Sequence, residues 1–277
     1  MKRILVPTDF SPNADKALNF AVQIARKAGA EIMLIHAVET LMDDVDFGKM
    51  KEKLEEVAAS IKATEFVETS TRVFRDSSVN SVINAVYEHK PELVVMGTNG
   101  SSGLKEVVYG SRTAAVIGRS PVPVLAVPLL AEWTAPRKIL LAVNKFTVPD
   151  KLLNPVITLA RYFLSSIHVT VFTDMDDDYA EDFKKHENMI ADFRDELREK
   201  YPDTEIHAVH LAGRHFRESL QGWTDKEKID LIVMLTHRRT LIGSIFNSSM
   251  TKKMSYHTNI PLMAIPDNTG ADRKSVV

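Results

Sequence analysis

The chain has no cysteine. Disulfides and thiolate metal sites are therefore excluded, and a reducing, cytoplasmic setting is the expectation. No apolar run approaches the ~18 residues needed to cross a bilayer. No hydrophobic segment with a cleavage site follows Met1-Lys2-Arg3, so neither a leader nor a membrane partner is expected. Excess charge of either sign is also missing: 35 Lys and Arg stand against 37 Asp and Glu, net −2. Without a basic field, nucleic acid is not an expected partner. The phosphate-loop signature G-x4-G-K-[ST] and the dinucleotide fingerprint G-x-G-x-x-G are both absent. Glycine is scarce, at 11 of 277 residues, so a glycine cluster carries information.

One such cluster exists. Leu93-Val94-Val95-Met96 is a short apolar run without alternation, as a strand buried on both faces should be. Gly97 ends it, Gly100 and Gly103 follow, and Gly110-Ser111 opens a small-residue segment that reads as a helix to Gly118. The pattern is G-x2-G-x9-G-[ST]. Glycines allow positive φ and let backbone N–H groups approach a ligand, and Gly97 and Gly100 are placed to do so where the strand turns. Gly110 and Ser111 would sit at a helix N-terminus, which favours an anion such as phosphate. A tight strand-to-loop turn with no ligand accounts for the same residues.

The chain around this stretch alternates strand and helix. Ile4–Val6 reads as a strand, and Ser11 with Pro12 opens a helix ended by Gly29. Glu31–Val38 is a second strand. Residues 41–47 read as an acidic irregular loop, with a helix over Lys51–Ile61. Thr71–Phe74, a helix capped by Ser77 or Ser78 and stopped by Pro91, the strand Leu93–Met96 and a last strand Val122–Val127 complete the unit. Alternation of this kind predicts an α/β fold with right-handed crossovers and a parallel sheet covered on both faces.

These residues resemble the universal stress protein family. The resemblance rests on the glycine spacing after V-V-M-G, the opening Ile4-Leu5-Val6-Pro7-Thr8-Asp9 with Ser11-Pro12, and the close Arg119-Ser120-Pro121-Val122-Pro123-Val124-Leu125-Ala126-Val127. It covers residues 1–128 closely and 137–266 in outline. It implies doubly wound units, each a five-stranded, mainly parallel sheet of order 3-2-1-4-5. In that order Asp9 and Gly97 end neighbouring strands at the switch point, where such sheets bind ligands. The resemblance further implies an adenine nucleotide as partner, ATP with Mg2+. The acid at Asp9 and the backbone near Val38 would hold the nucleoside; Gly97, Gly100, Gly110 and Ser111 would hold the phosphates. Pro7, Thr8, Met96 and Thr98 complete the candidate set. Asp9 has a plainer reading as a helix-entry acid. Arg112 is placed to pair with a terminal phosphate or to stand as a solvated helix charge. No catalytic residue or metal ligand is assigned.

The pattern then restarts. After a linker over 129–136, Ile139 matches Ile4 at an offset of 135 (139 minus 4), and Ile232 matches Val94 at 138 (232 minus 94). Two tandem units are predicted, 1–128 and 137–266, with a polar tail over 267–277 expected to be disordered. The second copy lacks the ligand residues: Asn144 replaces Asp9, Leu235 replaces Gly97, Arg238 replaces Gly100 and Ser248 replaces Gly110, while Ser249 matches Ser111. It is not expected to bind ATP in the family's manner. His237-Arg238-Arg239 is an exposed basic turn or a site for another anion. Asp174 to Asp178 reads as a solvated helix entry. His207 and His210, at odd spacing on a strand, fall on opposite faces. Pro123 and Pro261 argue for edge positions of the last strands. The family dimerises through that strand, so Val122–Val127 is expected to pair antiparallel with Leu262–Ile265 as an internal pseudo-dimer, with a further homodimer open.

Three functions follow. The first is a stress-response, nucleotide-binding module that acts as a switch or scaffold. The second is a slow ATPase or nucleotide-transfer enzyme, for which Thr98, Asn99 and Lys105 are the nearby polar candidates. The third is an interaction scaffold with no ligand.

Overall fold

The computed structural model describes residues 1–98, 110–143, 146, 148–174, 179–213, 216–237 and 259–267. The chain divides into two compact units, Met1–Trp133 with Thr236–Val277, and Thr134–Leu235.

Unit 1 runs β1 (Arg3–Pro7), α1 (Pro12–Ala28), β2 (Glu31–Val38), α2 (Asp44–Glu65), β3 (Thr69–Arg75), α3 (Ser78–His89), β4 (Leu93–Gly97), α4 (Ser111–Arg119) and β5 (Val124–Val127). Local chemistry explains the boundaries. The Ser11 hydroxyl accepts from the Ala14 N–H, Pro12 occupies the first turn, and Gly29 closes α1 with φ of 63°. Ser77 caps α3 by accepting from Asn80 N–H at 3.3 Å. The strand order is β3-β2-β1-β4-β5, with β1 parallel to both β2 and β4. Leu5, Val94 and Val124 pack under Val82 and Val86 of α3 and Val116 and Ile117 of α4. Ile4 and Val6, one residue out of phase and fully buried, face the opposite side of the sheet.

Two expectations are corrected. The acidic run at 41–47 is not a loop throughout: α2 begins at Asp44, capped by the Asp43 carboxylate, which accepts from Asp46 N–H. Its first turns bury nothing; the buried stripe is Leu54, Ala58 and Ile61. Hydrophobic periodicity therefore had no purchase before Leu54. The second correction concerns the prolines, which precede their strands: β5 starts at Val124, after Pro123, and β10 (Leu262–Asp267) starts after Pro261. β5 ends the five-strand order of its repeat, as expected, and that edge is covered. It pairs in parallel with β4 and antiparallel with β10, in register Leu262↔Ala126, Met263↔Leu125 and Ala264↔Val124. Pro123 still serves the ladder, through its carbonyl, which accepts from Val94 N–H at 2.9 Å. The expected antiparallel pairing of the two last strands is thus present.

Unit 2 carries β6 (Lys138–Ala142), α5 (Asp150–Phe163), β7 (Ser166–Asp174), α6 (Tyr179–Lys200), β8 (Ile206–Gly213), α7 (Phe216–Glu227) and β9 (Leu231–His237). Its order is β9-β6-β7-β8, all parallel. The repeat extends to single hydrogen bonds. Thr8 N–H donates to the Ile35 carbonyl at 2.9 Å, and Val143 N–H donates to Thr170 at 2.9 Å, each pair 135 apart (143 minus 8; 170 minus 35). The polar tail beyond Asp267, and the acidic residues 175–178, lie outside the described residues.

Candidate functional site

The candidate residues of unit 1 gather at the carboxyl edge of its sheet, where β1 and β4 diverge. Pro7, Thr8 and Asp9 leave β1. Val38 ends β2 and is buried. Met96, Gly97 and Thr98 end β4. Gly110, Ser111 and Arg112 form the entry to α4. The two ends of the glycine loop meet: Gly110 N–H donates to the Thr98 carbonyl at 2.6 Å. Gly100, with Asn99, Gly103 and Lys105, lies outside the described residues.

The Asp9 carboxylate accepts from Ser11 N–H at 3.1 Å, as a helix-entry acid would, and the residue is exposed. Gly110 gives α4 no side-chain cap, and the Ser111 and Arg112 side chains are exposed beside the uncapped helix end. Open N–H groups, a positive dipole end, a hydroxyl and a guanidinium suit a phosphate. Among the described residues no group of three His, Asp or Glu side chains gathers to hold a metal.

Sequence reasoning did not find the aromatic contacts of Phe10, next to Asp9. Phe10 has φ of 57°, a left-handed conformation that costs a β-carbon-bearing residue roughly 1–3 kcal/mol. Its ring lies 4.7 Å from that of His36 and carries Lys53 Nζ at 4.1 Å. His36 Nδ1 donates to the Thr8 carbonyl at 2.8 Å, which fixes the tautomer because a carbonyl only accepts. A single sequence has no local signal for φ, so Phe10 was silent there.

Gly97 is also corrected. It does not use positive φ. A Cβ at this position would collide with Asn13 Oδ1 and stand 2.9 Å from the Asn13 main-chain oxygen. Glycine is required by the close approach of α1, not by the turn.

The matching edge of unit 2 is filled differently. Leu235 is buried in the place of Gly97. Thr173, 135 residues after Val38 (173 minus 38), puts Oγ1 2.7 Å from His186 Nδ1 and 2.8 Å from His210 Nε2. The hydroxyl donates to one ring and accepts from the other. Phe183 stacks on His210 at 4.1 Å. His207 engages the other face, stacked on His168 at 4.9 Å, with Trp223 edge-on to His168. The two histidines thus fall on opposite faces, as their spacing predicts. Burial, then the neighbouring imidazole, holds His168 and His210 below the ordinary value. Asn144, Arg238, Ser248 and Ser249 lie outside the described residues.

The universal stress protein family model matches residues 1–128 and again 136–266. A universal stress protein of Methanocaldococcus jannaschii is 29% identical over 142 residues, spanning 46% of this chain and 81% of that protein. Another, from Bacillus subtilis, is 29% identical over 144 residues, 45% of this chain and 97% of the relative. A solved universal stress protein from Archaeoglobus fulgidus superposes with a TM-score of 0.70, covering 95% of this chain and 98% of its own at 20% identity, a likeness of fold. Among the described residues, no helix is long and apolar enough to cross a membrane.

Proposed function

Because this chain belongs to the universal stress protein family, we propose that unit 1 is its nucleotide-binding module. It binds an adenine nucleotide, ATP with Mg2+, at the carboxyl edge of its sheet, and works in the cytoplasm as a nucleotide-dependent switch or scaffold. The observation that carries this reading is the closure of the glycine loop. The Thr98–Gly110 hydrogen bond brings the end of β4 to the uncapped entry of α4, beside the end of β1. Backbone donors are thereby held ready for phosphate, and the Asp9 carboxylate stands at the same edge for a ribose. Binding acts by population shift: a nucleotide that prefers one conformation of the protein stabilises it by its difference in affinity.

Calorimetric titration with Mg-ATP tests this, alongside Gly100→Arg, which copies the second repeat. The expected result is one site per chain, absent in the variant. Two sites would show that unit 2 binds as well. No heat from protein freed of carried-over nucleotide would overturn the reading in favour of a ligand-free scaffold. Titrations with ADP and AMP then rank the phosphates.

A further inference from the structure

We infer that Asn13 is a positioning residue of the crevice: buried on α1, it occupies the space glycine leaves at position 97 and clamps the base of the glycine loop. The inference rests on the nucleotide reading of unit 1.

Three elements converge on the peptide from which the loop springs. From α1, the Asn13 side chain fills the position of the missing Cβ of Gly97, and Nδ2 donates to the Val127 carbonyl at 3.3 Å. From β5, the same Val127 carbonyl accepts Thr98 N–H at 3.1 Å. From α4, the Thr113 hydroxyl donates to the Gly97 carbonyl at 2.9 Å, and Gly110 N–H closes on Thr98. The start and the end of the loop are thus held in one frame. Asn13 is 4% exposed and Thr113 2%, so neither reaches a ligand in the crevice. They act through where they hold Gly97, Thr98 and Gly110.

The second repeat has lost both partners of the contact. α1 and α5 align at an offset of 135, since Ala25 and Ala160 accept from the C-caps Gly29 and Leu164 and from the residues that follow them, Ala30 and Ser165. That offset places Val148 opposite Asn13, while Leu235 stands opposite Gly97. A polar side chain with a glycine has become two apolar side chains. A coupled pair changes in this way; two independent packing residues need not.

The test is a double-mutant cycle read in two ways. Nucleotide Kd and thermal unfolding are measured for wild type, Asn13→Ala, Gly97→Ala and the double variant. Ser81→Ala, which removes a fully buried hydroxyl of α3 bonded to the Ser77 carbonyl, serves as a stability control. Asn13→Ala is expected to weaken binding about tenfold, the scale of one lost buried hydrogen bond with its packing. Ser81→Ala is expected to lower the unfolding temperature and leave Kd unchanged. Gly97→Ala should lose binding, and the double variant should regain part of it. Recovery is partial because the Asn13 main-chain oxygen still lies 2.9 Å from the new Cβ. Amide exchange at Gly110 gives a readout independent of ligand, and should speed up in Asn13→Ala more than in Ser81→Ala. Unchanged Kd and unchanged Gly110 exchange in Asn13→Ala would overturn the inference, as would strict additivity in the cycle. A wild type that binds no nucleotide would overturn the reading beneath it, and the positioning role with it.

Discussion

The two units share a backbone and differ in what stands at its carboxyl edge. In unit 1 the described residues of that edge are the two joined ends of the glycine loop, an exposed Asp9 and a helix end with no side-chain cap. In unit 2 the edge is occupied by its own side chains, Thr173, His186, His210 and Phe183, with Leu235 buried where glycine stood. Both retain the crossover hydrogen bond from Thr8 or Val143, and both end their first helix in a left-handed residue. The difference teaches that this fold is carried by buried strands and helix stripes, and that the carboxyl edge can be rewritten without touching them.

The sharpest way to break the comparison is to exchange the residues at the end of the fourth strand. Gly97→Leu drives a side chain into Asn13, and should abolish nucleotide binding while costing about 3 kcal/mol of stability. Leu235→Gly removes a side chain that is 5% exposed and should cost about 3 kcal/mol or more through the cavity it leaves. It should not create a nucleotide site, because Arg238 and Asn144 still replace Gly100 and Asp9. Urea unfolding with Mg-ATP titration reads both; binding gained by Leu235→Gly would show that glycine alone sets the difference.

A smaller effect separates the units by pH. His168 and His210 are held below 6.5 by burial first. His207 and Lys138 add to this at His168, against Glu227 and Glu205. His186 adds to it at His210, against Glu187. The unfolded chain therefore binds protons that folded unit 2 refuses. This part of its stability is present above pH 6.5 and is lost as pH falls through the lowered folded values. The two tryptophans allow a direct reading, since Trp133 packs on Phe20 in unit 1 and Trp223 on His168 in unit 2. In a Trp133→Phe background, the unfolding midpoint seen by Trp223 should drop between pH 7 and 5. His168→Asn should flatten that drop. A pH-independent midpoint would remove the contrast.

The smallest expected effect lies at the matched helix ends. Gly29 and Leu164 both adopt left-handed φ, 63° and 52°, and Leu164 is 83% exposed. Leu164→Gly should stabilise unit 2 by about 1 kcal/mol, and Gly29→Leu should cost unit 1 a similar amount. Thermal unfolding of the pair checks it. Equal midpoints in all three proteins would mean that the local strain is absorbed elsewhere.

Much of this was legible in the residues. Caps such as Ser11, Ser77 and Gly29 act within one turn, and apolar runs such as Leu93–Met96 announce a buried strand, so local chemistry suffices. The glycine spacing marked the loop for the same reason. The start of α2 was not legible, because its anchor is distant: Arg75 donates to the Met42 carbonyl at 2.8 Å, pairs with Asp44 and covers the Phe47 ring. Asn13 was silent alone, and the bond of His210 to Thr173 went unread, because each contact joins residues far apart along the chain.

The sequence by itself determined the alternation of strands and helices, the duplication and the loss of glycine from the second copy. Those properties depend on side-chain period, helix ends and the presence or absence of a Cβ. Only the tertiary structure decided why Gly97 must be glycine, that Arg75 anchors the start of α2, and that two histidines meet across one threonine hydroxyl. Each of these depends on which atoms share a few ångströms of space, and that is settled when separate elements pack.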